Sequence, residues 1–119
     1  MKIAIPVWED RISPLFDVAR QLLVVEVEDG NKPVRNKVLL ENGWPSNRVS
    51  QMADLGIEVL ICGGISRLLV DRLHTSGITV ISQIKGEPDQ VLEGYLRGDI
   101  DSPRFAMPGA IAASQSVEK

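Results

Sequence analysis

The chain has 119 residues, of which 44% are hydrophobic and 24% are charged, and these values predict one globular domain with its own core. The net charge of −3 excludes the basic surface that binds nucleic acids or anionic membranes. The single cysteine excludes an internal disulfide, and no apolar run approaches the ~20 residues of a membrane-spanning helix. We therefore expect a cytoplasmic protein with no nucleic-acid or membrane partner.

The first part of the chain shows strand patterns. Residues 2–7 are predicted to form an apolar strand that ends near Pro6, because proline cannot donate to a β-ladder. Residues 21–27 and 34–40 are predicted to form a hairpin around the turn at 28–31, which contains a glycine. We expect these strands to pair as an antiparallel trio.

Helices and strands alternate in the rest of the chain. In order, the pattern predicts a helix from its N-cap Ser46 through Leu55, a strand over 58–62, a helix over 66–75, a strand over 78–82 and a helix with Pro88 in its first turn. The order βββαβαβα predicts an α/β fold with a five-stranded mixed sheet and helices on its faces. The strands 58–62 and 78–82 should be parallel, because a helix connects them. We expect one domain over 1–101 and a loosely ordered tail over 102–119.

The stretch Glu58–Ser66 is the strongest candidate for a functional site. A strand that reads as buried on both faces ends at Cys62, two glycines follow, and Ser66 stands at an N-cap position. A strand that runs through glycines into a helix N-terminus is a common site for anionic ligands in α/β folds. The alternative is structural: Cys62 is a small buried residue and the glycines fit a tight turn.

The loop Arg11–Ala19 is the second candidate. It follows the first strand and contains Phe16, one of two phenylalanines in the chain. Because ligands in open α/β sheets collect outside the carboxyl ends of strands, we expect residues 13–17 and 62–66 to line one cleft. The alternative is a structural loop in which Phe16 fills the core.

The sequence offers little for catalysis. His74 stands late in a helix, where a solvated position is more usual than a role as a base. A zinc site needs about four nitrogen or sulfur ligands, more than one histidine and one cysteine supply. Glu9, Asp10 and Asp17 could hold magnesium, but exposed loop acids more often only solvate a surface.

Three stretches together resemble the dinitrogenase iron-molybdenum cofactor biosynthesis family, whose members are similar to nitrogenase accessory factors. They are Met1–Val7 (MKIAIPV), Ile12–Ala19 (ISPLFDVA) and Ile61–Ser66 (ICGGIS). The resemblance implies a three-layer, ribonuclease H-like fold and a non-catalytic accessory or carrier protein. Its cofactor would be a molybdenum-iron or iron-sulfur cluster and its partners metallocofactor assembly proteins.

The resemblance also implies a cluster-binding site. Its residues would be Ser13, Pro14, Phe16, Cys62, Gly63, Gly64, Ile65 and Ser66. Cys62 would be the metal ligand, because sulfur suits such clusters, and the nearby helix N-terminus should favour its thiolate. Backbone N–H groups of the glycine turn would contact the anionic sulfides.

The chain departs from the family pattern in its ligands. Leu15 stands where many members have histidine, Asp17 where they have glycine, and the further cysteines of nearer relatives are absent. A homodimer would bring two thiols together. The alternative is a degenerate member that acts as a metal-free module for protein interaction or small-anion binding. A magnesium-dependent phosphoryl-transfer enzyme is a third, more distant hypothesis.

Overall fold

The structure is a computed structural model that describes residues 1–41 and 45–107. Its strands are β1 (Lys2–Trp8), β2 (Arg11–Ile12), β3 (Gln21–Glu26), β4 (Val34–Leu39), β5 (Val59–Ile61) and β6 (Thr79–Ile81). Its helices are α1 (Pro45–Asp54), α2 (Arg67–Thr75) and α3 (Pro88–Leu96), with 3-10 turns at Phe16–Val18 and Pro103–Phe105. In the described part of the chain no helix is long and apolar enough to cross a membrane.

The strands form one mixed sheet in the order β4-β3-β1-β5-β6, with β2 paired to the end of β1. β3 is antiparallel to both β1 and β4, as predicted for the first part of the chain. β5 is parallel to β1 and to β6, with Val59 opposite Thr79 and Ile61 opposite Ile81. The predicted parallel pair of β5 and β6 is confirmed. The connection through α2 carries the chain back to the end of the sheet where β5 begins, so both strands run in the same direction.

The protein has three layers, because the sheet buries both of its faces. On one face Ala4 and Leu60 belong to a core that also contains Met52 of α1 and Leu73 of α2. On the other face the core contains Ile3, Ile5 and Ile61 of the sheet, Val91 and Leu92 of α3, and Phe105. Alternate residues of one strand thus enter opposite cores, since successive side chains of a strand point to opposite faces.

β1 does not end at Pro6. It continues to Trp8, and Pro6 lies opposite Leu22 in the antiparallel pair with β3. The carbonyl of Pro6 accepts the Ser13 N–H at 2.8 Å on the β2 side. The N–H that Pro6 lacks would therefore point toward β2, so the ladder between β1 and β3 loses no hydrogen bond. β2 adds a short sixth strand to the five expected.

The helix α1 begins one residue before the predicted cap. Pro45 is its first residue, so Ser46 lies inside the helix and the prediction that Ser46 caps it is wrong. Proline suits a first helical position because the N–H it lacks has no intrahelical partner there. The helix ends at Asp54, one residue before the predicted end at Leu55, and Gly56 follows with a φ of +76°.

Residues 102–107, which the sequence assigns to a loosely ordered tail, pack against the rest of the protein. Phe105 is buried in the core beside α3, and its carbonyl accepts the Lys85 N–H at 2.8 Å. The Met107 N–H donates to the carbonyl of Gln83 at 3.0 Å. The remainder of the predicted tail, 108–119, lies outside the described residues, as does Trp44.

Candidate functional site

The two candidate segments, residues 13–17 and 62–66, are in direct contact. The Gly64 N–H donates to the carbonyl of Pro14 at 2.8 Å, and the Phe16 N–H donates to the carbonyl of Gly64 at 2.8 Å. Leu15 and Gly64 form an isolated parallel bridge. The loop after β2 and the turn after β5 therefore form one unit next to the first residues of α2.

This contact requires glycine at position 63 and leaves little space at position 64. A side-chain carbon on Gly63 would lie 2.9 Å from the carbonyl oxygens of both Ser13 and Pro14. The same carbon on Gly64 would lie 3.1 Å from the Pro14 oxygen. What approaches the glycine backbone is thus the loop of the same chain, in accord with the structural interpretation of the Gly-Gly pair.

Cys62 lies entirely within the core. Its side chain has no exposed surface and belongs to the same core as Phe16 and Leu69. Burial, with a smaller contribution from the negative charge of Asp17, raises the pKa of the Cys62 thiol to about 12. The prediction that the helix N-terminus favours the thiolate is therefore wrong, since desolvation of the charged form outweighs the helix dipole.

Asp17 does more than solvate a loop. Its Oδ1 accepts the Ser66 N–H at 2.8 Å, while the Ser66 Oγ accepts the Leu69 N–H at 3.4 Å. The predicted N-cap Ser66 is confirmed, and a carboxylate from the other segment lies beside it. This is a favourable place for a negative charge, because unpaired N–H groups gather at a helix N-terminus.

The three loop acids do not gather at one place. Glu9 and Asp10 line a cavity of about 320 Å³ on the α3 side of the sheet, together with Glu87, Asp89 and Lys37 among others. Asp17 lies on the α2 side instead. Among residues 1–41 and 45–107 no three side chains of His, Cys, Asp or Glu are arranged to hold a metal ion. His74, expected to be solvated, is exposed.

Arg48 of α1 is a buried cation that the sequence reasoning missed. Only 6% of its surface is exposed, its Nη1 donates to the carbonyl of Ala19 at 2.7 Å, and its guanidinium carbon lies 5.4 Å from the centre of the Phe16 ring. Burial lowers the pKa of Arg48, and the charge of Asp17 opposes that shift. Its spacing from Met52 was a usable signal, because residues four apart share a helix face.

The predicted site residues divide by exposure. Those buried in the protein are Ser13, Phe16, Cys62 and Gly63, whereas Pro14 is exposed and Gly64, Ile65 and Ser66 are half-buried. The burial of Phe16 agrees with the alternative that it fills the core. Around the joined segments three large apolar side chains are exposed: Leu15 at 40%, Val18 at 66% and Leu68 at 49%.

The sequence model of the family described as "Dinitrogenase iron-molybdenum cofactor" matches residues 1–98. The chain belongs to this family. All the motif residues that carry the resemblance lie inside the matched range. Family membership links this protein to the iron-molybdenum cofactor of dinitrogenase.

Relatives of similar length agree with this membership. An uncharacterised protein of Methanocaldococcus jannaschii is 27% identical over 108 residues, covering 85% of this chain and 90% of that protein. The crystal structure of PH0822 has a TM-score of 0.76 at 23% identity, covering 82% of this chain and 92% of that chain. The apo form of the orange protein from Desulfovibrio gigas has a TM-score of 0.69 at 23% identity, covering 91% and 92%. At this identity the two structures establish the shared fold.

Proposed function

We propose that this family member is a small non-catalytic accessory protein that carries a preformed molybdenum-iron or iron-sulfur cluster as cargo during metallocofactor assembly. The observation that carries the proposal is the contact between the two family motifs, in which Gly64 and Pro14 are hydrogen-bonded at 2.8 Å. This contact sets both motifs beside the amino end of α2. Its assembly partners would be the proteins that deliver the cluster and receive it.

The exposed surface beside the joined segments offers apolar side chains, backbone N–H groups and a positive charge that can contact such a cluster. Leu15, Val18 and Leu68 offer apolar side chains on which soft sulfides can pack. The first turn of α2 supplies backbone N–H groups, and the exposed Arg67 adds a positive charge. A sulfide-rich anionic cluster can use all of these contacts without a set of protein thiolates.

Cys62 is the proposed metal ligand, and because it is buried, a metal can reach it only after a local rearrangement. The thiol is buried and holds its proton, with a pKa of about 12. Coordination therefore requires the turn at 63–66 to move away from the loop at 13–15 and the thiol to release its proton, because a metal binds the thiolate. A homodimer would place a second thiol on the same cluster. Size-exclusion chromatography with and without the cluster measures whether the protein dimerises.

The experiment is anaerobic reconstitution with iron, sulfide and molybdate, followed by desalting, metal analysis and absorption spectra. We expect the wild type to retain metal and Cys62→Ala to lose it, with Cys62→Ser as a second variant that keeps an oxygen of similar size. His74→Ala is the matched control, because it removes an exposed potential ligand. Equal retention by wild type and Cys62→Ala would place coordination elsewhere.

A second function is favoured by the burial of Cys62. In a metal-free module for protein interaction, the thiol is simply part of the core and the exposed side chains Leu15, Val18 and Leu68 contact a protein partner. The same reconstitution separates the two functions. A folded wild-type protein that retains no metal supports the metal-free module and contradicts the cargo proposal.

A further inference from the structure

The strand β4 forms one edge of the sheet and presents open backbone groups there. No strand among the described residues pairs with its outer side. The Leu40 N–H donates to the carbonyl of Arg20 at 2.8 Å, and opposite residues of an antiparallel ladder are alternately bonded and non-bonded. The even-numbered residues of β4 therefore bond to β3, whereas the N–H and C=O groups of Arg35, Lys37 and Leu39 point outward.

The open stretch of this edge is short, because each of its ends is restricted. At one end the Leu39 carbonyl accepts a hydrogen bond from the Gln51 side chain at 2.8 Å. At the other end Pro33 has no N–H to donate. Between these ends, two residues offer both an open N–H and an open C=O, namely Arg35 and Lys37.

A second copy of β4 fits these groups. When two β4 strands run antiparallel with Arg35 opposite the partner's Lys37, the two N–H and two C=O groups of each chain are all bonded. The two-fold axis of this pair passes through Asn36, which faces its own copy. A shift of two residues in either direction would need the N–H that Pro33 lacks or the carbonyl that already accepts from Gln51.

The side chains on one face of this pairing match across the axis. Val34 is opposite the partner's Val38, and in the single chain Val34 is 58% exposed and Val38 is half-buried. Apolar residues directly opposite each other stabilise a pair of strands. Asn36 is opposite its own copy, and the two amides can bond to each other because each has a donor and an acceptor.

The charges on the other face are balanced within each subunit. Arg35 is ion-paired with Asp89 of α3. Four carboxylates line the cavity beside Lys37: Glu9, Asp10, Glu87 and Asp89. Exposed cations usually protect an edge strand from pairing, because like charges then face each other. Here carboxylates outnumber the two cations, and Asp89, beside Arg35, lies near the place that the partner's Lys37 takes.

We infer that the protein forms a homodimer in which β4 pairs with β4 of a second copy across a two-fold axis at Asn36, so that the two sheets become one. The inference does not depend on a bound cluster. In this dimer the two Cys62 residues follow β5 strands that are seven strand spacings apart, which is about 30 Å. It therefore differs from a dimer in which two thiols share one cluster, and each subunit keeps its own candidate site.

The residue on the axis provides the test, because it faces its own copy. Asn36 is exposed, so Asn36→Asp and Asn36→Lys should both fold. Each variant alone places two like charges about 5 Å apart, whereas an equimolar mixture of the two pairs opposite charges. Asn31→Asp and Asn31→Lys, in the exposed β3–β4 turn, are the matched controls. Sedimentation velocity of the apo protein from micromolar to millimolar concentration measures the dimer.

We expect the wild type and both Asn31 variants to dimerise with the same dissociation constant. Asn36→Asp and Asn36→Lys should each dimerise at least about tenfold more weakly, and their mixture should recover the dimer. Amide hydrogen exchange adds a measurement without any substitution. The Arg35 and Lys37 N–H groups should become protected as the protein concentration rises, whereas the Asn36 N–H, bonded to β3, should be protected throughout.

Two results overturn the inference. One is a wild type that stays monomeric at millimolar concentration, which leaves the β4 edge to a strand of another protein. The other is a pair of Asn36 variants that dimerise as well as the wild type or do not recover in the mixture, because the axis then lies elsewhere. If an Asn36 variant does not fold, hydrogen exchange of the wild type decides. Retention of a reconstituted cluster is measured separately, so neither result bears on the proposed function.

Discussion

Pro14 and Gly64 meet backbone to backbone: the Gly64 N–H donates to the Pro14 carbonyl at 2.8 Å. The same carbonyl oxygen lies 2.9 Å from the place where a side-chain carbon on Gly63 would stand. Two distant parts of the chain are therefore joined at a distance that only glycine permits. This junction holds the loop after β2 against the start of α2.

The first prediction concerns Gly63→Ala. We expect the free energy of unfolding to fall by about 2–3 kcal/mol, because the added carbon meets two backbone oxygens that cannot move without breaking the junction. Gly98→Ala is the control: a side chain there has open space, and only its φ of +77° costs about 1 kcal/mol. Urea denaturation measures both variants, and equal losses would contradict the argument.

The second prediction concerns pH. The pKa of the Cys62 thiol rises from 9.0 to about 12 on folding, so the folded state holds its proton more tightly than the unfolded state. The stability contributed by the protonated thiol is complete below pH 9 and is lost progressively as the pH rises toward 12. At pH 10 the loss should be about 1.4 kcal/mol, one pH unit above the unfolded pKa.

Cys62→Ala is the control for this pH dependence, because it removes the thiol and keeps every other ionisable group. The measurement is the difference between pH 7 and pH 10 in the unfolding free energy of each protein. We expect a larger decrease for the wild type than for Cys62→Ala. Identical pH profiles would show that the folded protein does not hold the thiol proton.

The third prediction concerns Phe105. Its ring packs so closely on Gly94 that a side-chain carbon there would lie 2.6 Å from the Phe105 Cε2. Phe105→Ala should lower the free energy of unfolding by about 3–4 kcal/mol, as for other buried aromatic residues. Leu96→Ala, at an exposed position of α3, should cost much less. Thermal denaturation of both variants decides, and similar losses would contradict the burial of Phe105.

Local patterns were enough to predict most of the fold. The apolar runs predicted the succession of strands and helices along the chain and the parallel pair of β5 and β6, because these depend on short stretches and on a helical crossover. The same reasoning predicted that the loop at 13–17 and the turn at 62–66 line one cleft at the carboxyl ends of strands. The two segments are in direct contact, and the cleft stays a prediction.

Long-range contacts account for what the sequence could not predict. The raised pKa of Cys62 depends on burial by residues from several elements, whereas the sequence allowed both a buried thiol and one favoured as thiolate by a helix N-terminus. The bond from the Ser66 N–H to Asp17 joins segments 49 residues apart, and the contact of Phe105 with Gly94 joins α3 to the segment that follows it. No local spacing encodes such a pairing.

The last prediction concerns Arg48. Replacement by methionine keeps an unbranched apolar stem but removes the donor to the Ala19 carbonyl and the cation over the Phe16 ring. We expect Arg48→Met to lower the free energy of unfolding by about 2 kcal/mol, because a carbonyl oxygen loses its buried donor. Arg72→Met, at an exposed position of α2, should stay within about 0.5 kcal/mol of the wild type.

The effect of Arg48→Met should also reach the site. With its support removed, the segment that contains Asp17 should move more freely, and the Ser66 N–H should exchange faster than in the wild type. Arg48→Lys should restore part of the protection, because it keeps the charge but not the planar group over Phe16. Unchanged exchange at Ser66 in a destabilised Arg48→Met would mean that Arg48 supports the core alone and has no part in positioning Asp17.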